Sequence, residues 1–265
     1  VQRDALKNIH PRDLRGLIRA GQWKEHTIGL ASGYVQANLV ILPYDLAFDF
    51  LVFCQRNPKP CPVLEVTEPG EPRLRYMAAD ADLRTDLPMY RIFVAGECVA
   101  EVSEVTDLWR DDLVAFLLGC SATFESSLIQ ANIRLRHIEE EKIPPVYVSE
   151  IQCHPAGPFR GPMVVSMRPI RSDQVMQAVR ITSRYTATHG GPVHLGDPGA
   201  IGITDLEKVM YGEPIAIHEN ELPVFWACGI TPQAVALQAK PDFMITHLAG
   251  HMFVSDILAD EIAVS

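Results

Sequence analysis

Apolar positions recur at Leu6, Ile9, Leu14, Leu17 and Ile18, a partly helical spacing, and Pro11 predicts that a second helix opens just after His10. Tyr44 to Gln55 (YDLAFDFLVFCQ) reads as a buried helix, introduced by Pro43 and ended by the Asn57-Pro58-Lys59-Pro60 loop. Val63 to Thr67 reads as a short buried strand, and Tyr90 to Val94 with Cys98 to Val102 as a hairpin around Ala95-Gly96-Glu97. Asp111 to Leu118 begins a long helix-compatible stretch, interrupted at Gly119-Cys120-Ser121 and running on toward Lys142, with Pro144-Pro145 as its stop. Strands follow at Val146 to Ile151 and Met163 to Arg168, then a helix from Ser172 or Asp173 to about Tyr185. Pro223 to Ala227 suits an interior strand. Thr231-Pro232 suits a helix start, with a capping hydroxyl and then proline at the first helical position.

This alternation predicts the α/β class: a mixed sheet flanked by helices, with a smaller α+β inserted domain. The insertion is expected at residues 143–194, between proline-rich joints. The main domain is then discontinuous, from 1–142 and 195–265.

Composition narrows the function classes. A chain of 265 residues, 48% hydrophobic and 21% charged, has globular make-up. Its formal charge of -10 leaves no broad basic surface to follow a phosphate backbone, which argues against nucleic acid as a partner. An anionic substrate would need locally placed Arg or Lys. No apolar run approaches the roughly 18 residues of a membrane span, and the first residues lack the basic-then-apolar pattern of a secretory signal. The chain starts at Val1 rather than Met, which suggests a trimmed start. Six cysteines at 54, 61, 98, 120, 153 and 228 are dispersed and include no Cys-x-x-Cys pair. The expectation is therefore reduced thiols in a cytoplasmic protein, without a structural zinc ribbon. A homo-oligomer is the base-rate expectation for such an enzyme, and nothing in the sequence requires a cofactor.

Candidate chemistry gathers where glycine and proline do. Thr188 to Gly202 (THGGPVHLGDPGAIG) sets His189 and His194 around a Gly190-Gly191 turn, with Asp197 beyond. Glycines let backbone amides approach an anion, and the two histidines with Asp197 could supply acid, base and orienting carboxylate. A glycine-rich loop with two partly exposed histidines is the plainer alternative. The segment FCQRNPKPCP presents Asn57 and Lys59 from a rigid loop, to grip a carboxylate or merely to complement a helix C-terminus. Gly119-Cys120-Ser121 places a thiol and amides at a helix start, which suits a nucleophile or an oxyanion, although most such cysteines are small core residues. Arg168 could pair with a substrate carboxylate or with a structural one. Trp226 to Gly229 looks like a strand leading into a helix, with Cys228 a core residue. His247 and His251 stand four apart, as metal ligands on a helix can, but Leu248 occupies the position where a zincin has glutamate. With His154 they form only a weak metal alternative.

Seven of these segments, in order, carry a resemblance: GYVQANL from Gly33, FCQRNPKPCP, GCSATFE, GPMVVSMRP, HGGPVHLGDP, VFWACGITPQ and ITHLAGHMFVSD. Together they resemble the hydro-lyase family related to D-glutamate cyclase, over about residues 33 to 256. The resemblance implies a two-domain α/β fold and a dehydration, in which the amine of D-glutamate attacks the side-chain carboxyl, water leaves and 5-oxo-D-proline forms. That chemistry needs a base, an acid and a cationic grip on a small-molecule carboxylate. By chemical type, His189 and His194 are assigned to proton transfer and Arg168 or Lys59 to the carboxylate, with Asn57, Gly190, Gly191 and Asp197 around the substrate. Cys120 and Ser121 are placed at the tetrahedral oxyanion. Two rival readings remain: a metal-assisted lactam or amide hydrolase using histidine ligands, and a non-catalytic small-molecule binding protein.

Overall fold

The chain opens with α1 (Arg3–Leu6) and α2 (Pro11–Arg19). His10 caps α2 by accepting the Arg12 amide on its ring nitrogen at 3.3 Å, and Pro11 takes the first helical position, where no amide hydrogen is missed. Next come β1 (Tyr34–Pro43), α3 (Tyr44–Arg56), β2 (Val63–Val66), and the hairpin of β3 (Tyr90–Val94) and β4 (Glu97–Val102). β5 (Leu113–Gly119), α4 (Ala122–Gln130), α5 (Arg136–Glu139), β6 (Val146–Gln152), β7 (Pro162–Arg171) and α6 (Val175–Ser183) follow. The chain continues through β8 (His194–Leu195), β9 (Glu221–Ala227), α7 (Thr231–Ala239), β10 (Met244–His247) and β11 (Phe253–Leu258). This computed structural model describes residues 1–264, Ala236 by its backbone alone.

Two sheets result, flanked by helices, so the α/β class holds. The larger runs β2-β5-β1-β10-β3-β4, with β11 also on β1; the smaller runs β6-β7-β9-β8. Every ladder among the described residues is antiparallel. β10 and β11 share one edge of β1 end to end: β10 pairs at Val40 and Ile41, β11 from Tyr34 to Ala37. Asn38 and Leu39 fall in the gap between them.

The stretch expected to begin a helix at Asp111 is instead β5, buried at all seven positions. The reason is a sheet covered on both faces. Along β1 and β5, Val40, Leu42, Phe116 and Leu118 join one core with Phe50 and Phe53 of α3 and Val165 and Met167 of β7. Leu39, Ile41, Ala115 and Leu117 join a second core with Tyr90 and the loop residues Leu83 and Leu87. A strand buried on both faces has no polar alternation, so its apolar run resembles a buried helix. Each fully buried phenylalanine contributes about 1.5–3 kcal/mol, and Phe50, Phe53, Phe116 and Phe159 pack edge-to-face or tilted between the two sheets. The helix after Arg171 starts at Val175, later than expected, because Asp173 is ion-paired with Arg171 instead of capping.

Candidate active site

β5 ends against a close backbone approach. A Cβ on Gly119 would lie 2.0 Å from the carbonyl oxygen of Ala187, so only glycine lets the Thr186–Thr188 turn close over this strand end. The chain then turns through Cys120 and Ser121 into α4, whose first turns carry Glu125 into the interior. The turn from β9 to α7 has the same constraint: a Cβ on Gly229 would sit 1.9 Å from the side-chain nitrogen of Asn38. Thr231 fixes the start of α7 by donating from its hydroxyl to the Cys228 carbonyl at 2.8 Å and accepting the Val164 amide at 3.0 Å.

These two turns, β1, β7 and the end of β10 enclose a narrow cavity of about 40 Å³. Its polar lining is Asn38, Ser121, Glu125, Ser166, Arg168 and His247; Cys120 and Cys228 add thiols, and Ile28, Ile143 and Met252 form an apolar rim. A larger open concavity of about 820 Å³ lies elsewhere, beside Tyr44 and Lys240. Its Arg110 and Asp112 are paired with each other, and none of its lining residues holds a buried unpartnered side-chain atom among the described residues.

Arg168 organises the inner wall. It is 1% exposed and lies over the rings of Phe124 and Trp226, at 5.8 and 5.4 Å. Its Nε and Nη2 donate to Oε1 of Glu125 at 3.0 and 2.5 Å, Nη1 to the Ser166 hydroxyl at 3.0 Å, and Nη2 to the Ser121 hydroxyl at 2.9 Å. His137, from α5, places Nε2 2.9 Å from the same Oε1. Burial alone would raise the Glu125 carboxyl, but His137 and Arg168 beside it outweigh that and hold it at about 2. Glu125 is therefore a carboxylate whose Oε1 takes every contact and whose buried Oε2 has no partner.

His247 faces the same cavity. Its ring fills the gap between β10 and β11 beside β1, where Nδ1 lies 3.1 Å from the Leu39 amide nitrogen and 3.3 Å from the Leu39 carbonyl oxygen. The amide can only donate, so Nδ1 accepts and the ring proton sits on Nε2. Burial lowers the imidazole to about 4, so the ring is neutral at physiological pH. Its Nε2 is buried without a partner. A bare acceptor and a bare donor thus share one cavity, whereas buried polar atoms ordinarily find partners.

Of the residues expected from sequence, Cys120, Ser121 and Arg168 line this cavity. Burial pushes the Cys120 thiol up to about 12 and the Cys228 thiol to about 11, so both are protonated at neutral pH. His189 is buried at φ +83, with Nδ1 2.7 Å from the Lys59 carbonyl oxygen and an unpartnered Nε2. Burial, with Arg168 adding repulsion, lowers it to about 4, yet it is not part of the cavity wall. His194 lies on β8, half-buried, with Nε2 2.6 Å from the Asp197 carbonyl oxygen; no contact joins it to His189. Asp197 caps the next turn through the Gly199 amide. Gly190 takes a positive φ, and Gly191 packs on Ser183. Asn57 is engaged in holding its loop: its amide donates to Phe53 and His154 carbonyls and its oxygen accepts the His154 amide. Lys59 is half-buried and lowered by that burial.

The metal alternative loses its shared helical face, because Thr246 and His247 end a strand and Gly250 has φ +82. His154 is exposed, and His251 bonds the Ala249 carbonyl through Nδ1. No group of three or more His, Cys, Asp or Glu is placed to hold a metal ion among the described residues. All six cysteines are free thiols, and no described helix is long and apolar enough to cross a membrane. Three contributors lay outside the sequence expectations. Glu125 appeared only inside a motif, His247 only as a possible ligand, and His137 in no motif.

Comparison with known proteins agrees with the resemblance. The profile of the D-glutamate cyclase family matches residues 114–256. A protein of Bacillus licheniformis named "Putative hydro-lyase" is 53% identical over 259 residues, 98% of this chain and 99% of that one. One of Bacillus subtilis, "Putative hydro-lyase YcsI", is 54% identical over 254 residues, covering 96% and 99%. Among solved structures, a nitrogen repressor-like protein from Methanococcus jannaschii aligns over 92% of this chain and 96% of its own at a TM-score of 0.39 and 9% identity, too slight a likeness to argue from. The matched family segment contains His137 and, apart from Asn38, every polar and thiol residue of the cavity wall (Cys120, Ser121, Glu125, Ser166, Arg168, Cys228 and His247), and the chain belongs to the D-glutamate cyclase family of hydro-lyase enzymes.

Proposed function

We propose that the cavity between the two sheets is the active site of a dehydration acting on a small amino dicarboxylate. The reaction that fits best is closure of D-glutamate to 5-oxo-D-proline with loss of water. The observation that carries this is the pairing of a bare carboxylate oxygen, Glu125 Oε2, with a bare imidazole N–H, His247 Nε2, on one small cavity. An ammonium complements the first and a carboxylate oxygen the second, so an amino acid satisfies both at once.

In the reaction the N–C bond forms as the amine attacks the side-chain carboxyl carbon, and one C–O bond breaks. Two protons leave the nitrogen, and both end on the departing oxygen as water. Glu125 Oε2 receives the ammonium, accepts these two protons in turn and passes each to the departing oxygen, which leaves as water. His247 Nε2 and the Ser121 hydroxyl, at the positive end of α4, hold the oxygen on which charge develops. Arg168 keeps Glu125 ionised and turns Oε1 away from the substrate. Cys120, as a thiol, shapes the wall. Ile28, Ile143 and Met252 supply the apolar side of the cavity, against the carbon chain of the substrate. This assignment moves the proton-transfer roles from His189 and His194 to Glu125 and His247.

The test is incubation of the purified protein with D- and L-glutamate and with 5-oxoproline, followed by chiral chromatography, with Glu125→Gln and His247→Ala alongside. Turnover of the D form, lost in both variants, supports the reading. Turnover that survives both variants places the site elsewhere, and none in the wild type removes glutamate as substrate.

A further inference from the structure

His137 has one nitrogen on the active-site carboxylate and the other facing away from it. Nε2 lies 2.9 Å from Glu125 Oε1, while Nδ1 is buried without a partner, and the ring is 1% exposed. On the far side, His137 lines a second, very small space of about 10 Å³, together with Arg3, His26, Glu141 and Lys142. That volume is close to what one water molecule requires. Ile28 lines both spaces. The second space has charged side chains in its wall beside apolar ones and reaches exposed residues: Glu141 is exposed, Lys142 half-buried, and His26 Nε2 contacts the Glu141 carbonyl at 3.4 Å.

We infer that His137 is a positioning residue that also connects Glu125 to solvent, exchanging protons between the closed cavity and the outer polar space. The inference rests on the reading of that cavity as the active site. Holding Glu125 alone does not need an imidazole, because the side-chain amide of glutamine would donate to Oε1 equally well. What imidazole adds is a second nitrogen, and here that nitrogen is left bare toward a space of water-holding size. Ionised Glu125 only accepts, so Nε2 carries a proton and donates it.

The hand-over balances. Nδ1 gains a proton from water in the outer space, leaving hydroxide to the bulk solvent, as Nε2 releases its own to Oε1. An O–H and an N–H bond break as an N–H and an O–H bond form, and no electrons transfer. Run backwards, a proton held on Oε1 returns to Nε2 as Nδ1 gives one to water. A complete cyclisation moves no net proton, since two leave the nitrogen and two depart with water. The conduit serves instead to restore ionised Glu125 when a turnover ends with a proton left on its carboxyl. The charged and titratable groups around the ring are Glu125 and Arg168 on the inner side and Arg3, Lys7, His26, Glu141 and Lys142 in the wall of the outer space.

Two measurements test this, and the first needs no substrate. Nitrogen-15 NMR of the imidazole side chains gives the exchange rate of the His137 Nε2 proton with water, beside those of the β1 core amides, which report global opening. The expected result is exchange at least about 100-fold faster than those amides; exchange at their rate overturns the conduit. The second is kinetic. His137→Gln keeps the hydrogen bond to Glu125 but cannot pass a proton, so kcat should fall about 10²-fold with KM unchanged, and added imidazole should partly restore His137→Ala. A His137→Gln variant with wild-type kcat overturns the role. If the wild type turns over neither glutamate nor 5-oxoproline, the substrate reading fails, and the NMR rate still decides the conduit.

Discussion

Two arginines are buried to the same degree in this protein, and only one faces a cavity. Arg15 and Arg168 are each 1% exposed. Arg15, on α2, donates to Asp256 through both oxygens at 2.9 and 3.0 Å, to Asp80 at 2.7 Å and to the Val254 carbonyl at 2.9 Å, tying α2 to β11 and to the loop before β3. Asp80 and Asp256 remain about one-third exposed, so water shares in solvating them. Arg168 has one carboxylate, Glu125, whose side chain is 4% exposed. Both networks pair a buried guanidinium, and a buried ion pair is in itself weak evidence of function. The difference lies in which atoms are left over. Around Arg15 the bare atom is its own Nε, 4.0 Å from the buried Asp86 carboxylate, while each carboxylate meets a donor or solvent. Around Arg168 an ionised oxygen of Glu125 is buried without a partner, and Glu125 lines a cavity together with His247, whose buried N–H has none either.

The largest effect should come from Glu125→Gln. The change leaves Arg168 buried without a counter-charge, and such a removal costs about 3–5 kcal/mol. Urea unfolding should register that loss, and turnover should fall by about 10²–10⁴-fold. A stability loss below 1 kcal/mol would break the contrast, because water or rearrangement would then be solvating Arg168 as readily as the exposed carboxylates around Arg15. His247→Ala should come next. It removes the acceptor for the Leu39 amide, at about 1–3 kcal/mol, and the imidazole N–H at the cavity, at about 10²-fold or more in kcat. A loss confined to KM would assign His247 to ground-state binding instead.

Acid should act on this buried site before it reaches the carboxylates. His247 and His189 sit at about 4 in the folded protein against an ordinary 6.5, held down by burial. Between those values the unfolded chain binds protons that the folded one does not, so their stability contribution is present above pH 6.5 and is lost as pH falls through about 4. Glu125, at about 2 against 4.5, also loses its contribution as pH falls, but in the lower window. Unfolding free energy measured against pH should therefore decline first between about 6.5 and 4, by about 2–4 kcal/mol per histidine. His247→Ala should remove its share of that first decline and leave the Glu125 window unchanged.

Much of the architecture was legible because local rules were sufficient. Pro11, Pro43 and Thr231-Pro232 mark helix starts where the structure has them, and Ala95-Gly96 marks the hairpin. β5 was not, since burial on both faces removes the alternation that distinguishes strand from helix. The site was legible in proportion to how local its parts are. Cys120, Ser121 and Arg168 stand in glycine- or proline-marked motifs and line the cavity. His189 and His194 stand outside its wall, among glycines that serve tight turns: Gly190 has φ +66 and Gly196 φ +84. His247 matters because it fills a gap between β10 and β11, and His137 because a four-residue helix points it at Glu125. Neither fact has a local signature, since both depend on segments more than ten residues apart that meet only in the fold.

The smallest effect should come from Asp80→Asn, the counterpart of Glu125→Gln in the other network. Asp80 accepts from Arg15 and Arg12 at the surface end of the cluster, and pairing with these arginines outweighs its burial to keep its carboxyl below the usual range. Exposed pairs are worth about 0–1 kcal/mol, because water competes for both charges. Arg15 would also keep both oxygens of Asp256 and the Val254 carbonyl, so its guanidinium stays compensated. Asp80→Asn should therefore shift the urea midpoint by no more than that range and leave kcat and KM at wild-type values, since Asp80 is no part of the cavity wall. A loss of about 3 kcal/mol would mean that Arg15 depends on Asp80 as Arg168 depends on Glu125. Burial of the guanidinium, rather than exposure of its partner, would then set the energy of both networks, and the bare Oε2 of Glu125 would be the only feature left to distinguish the active site.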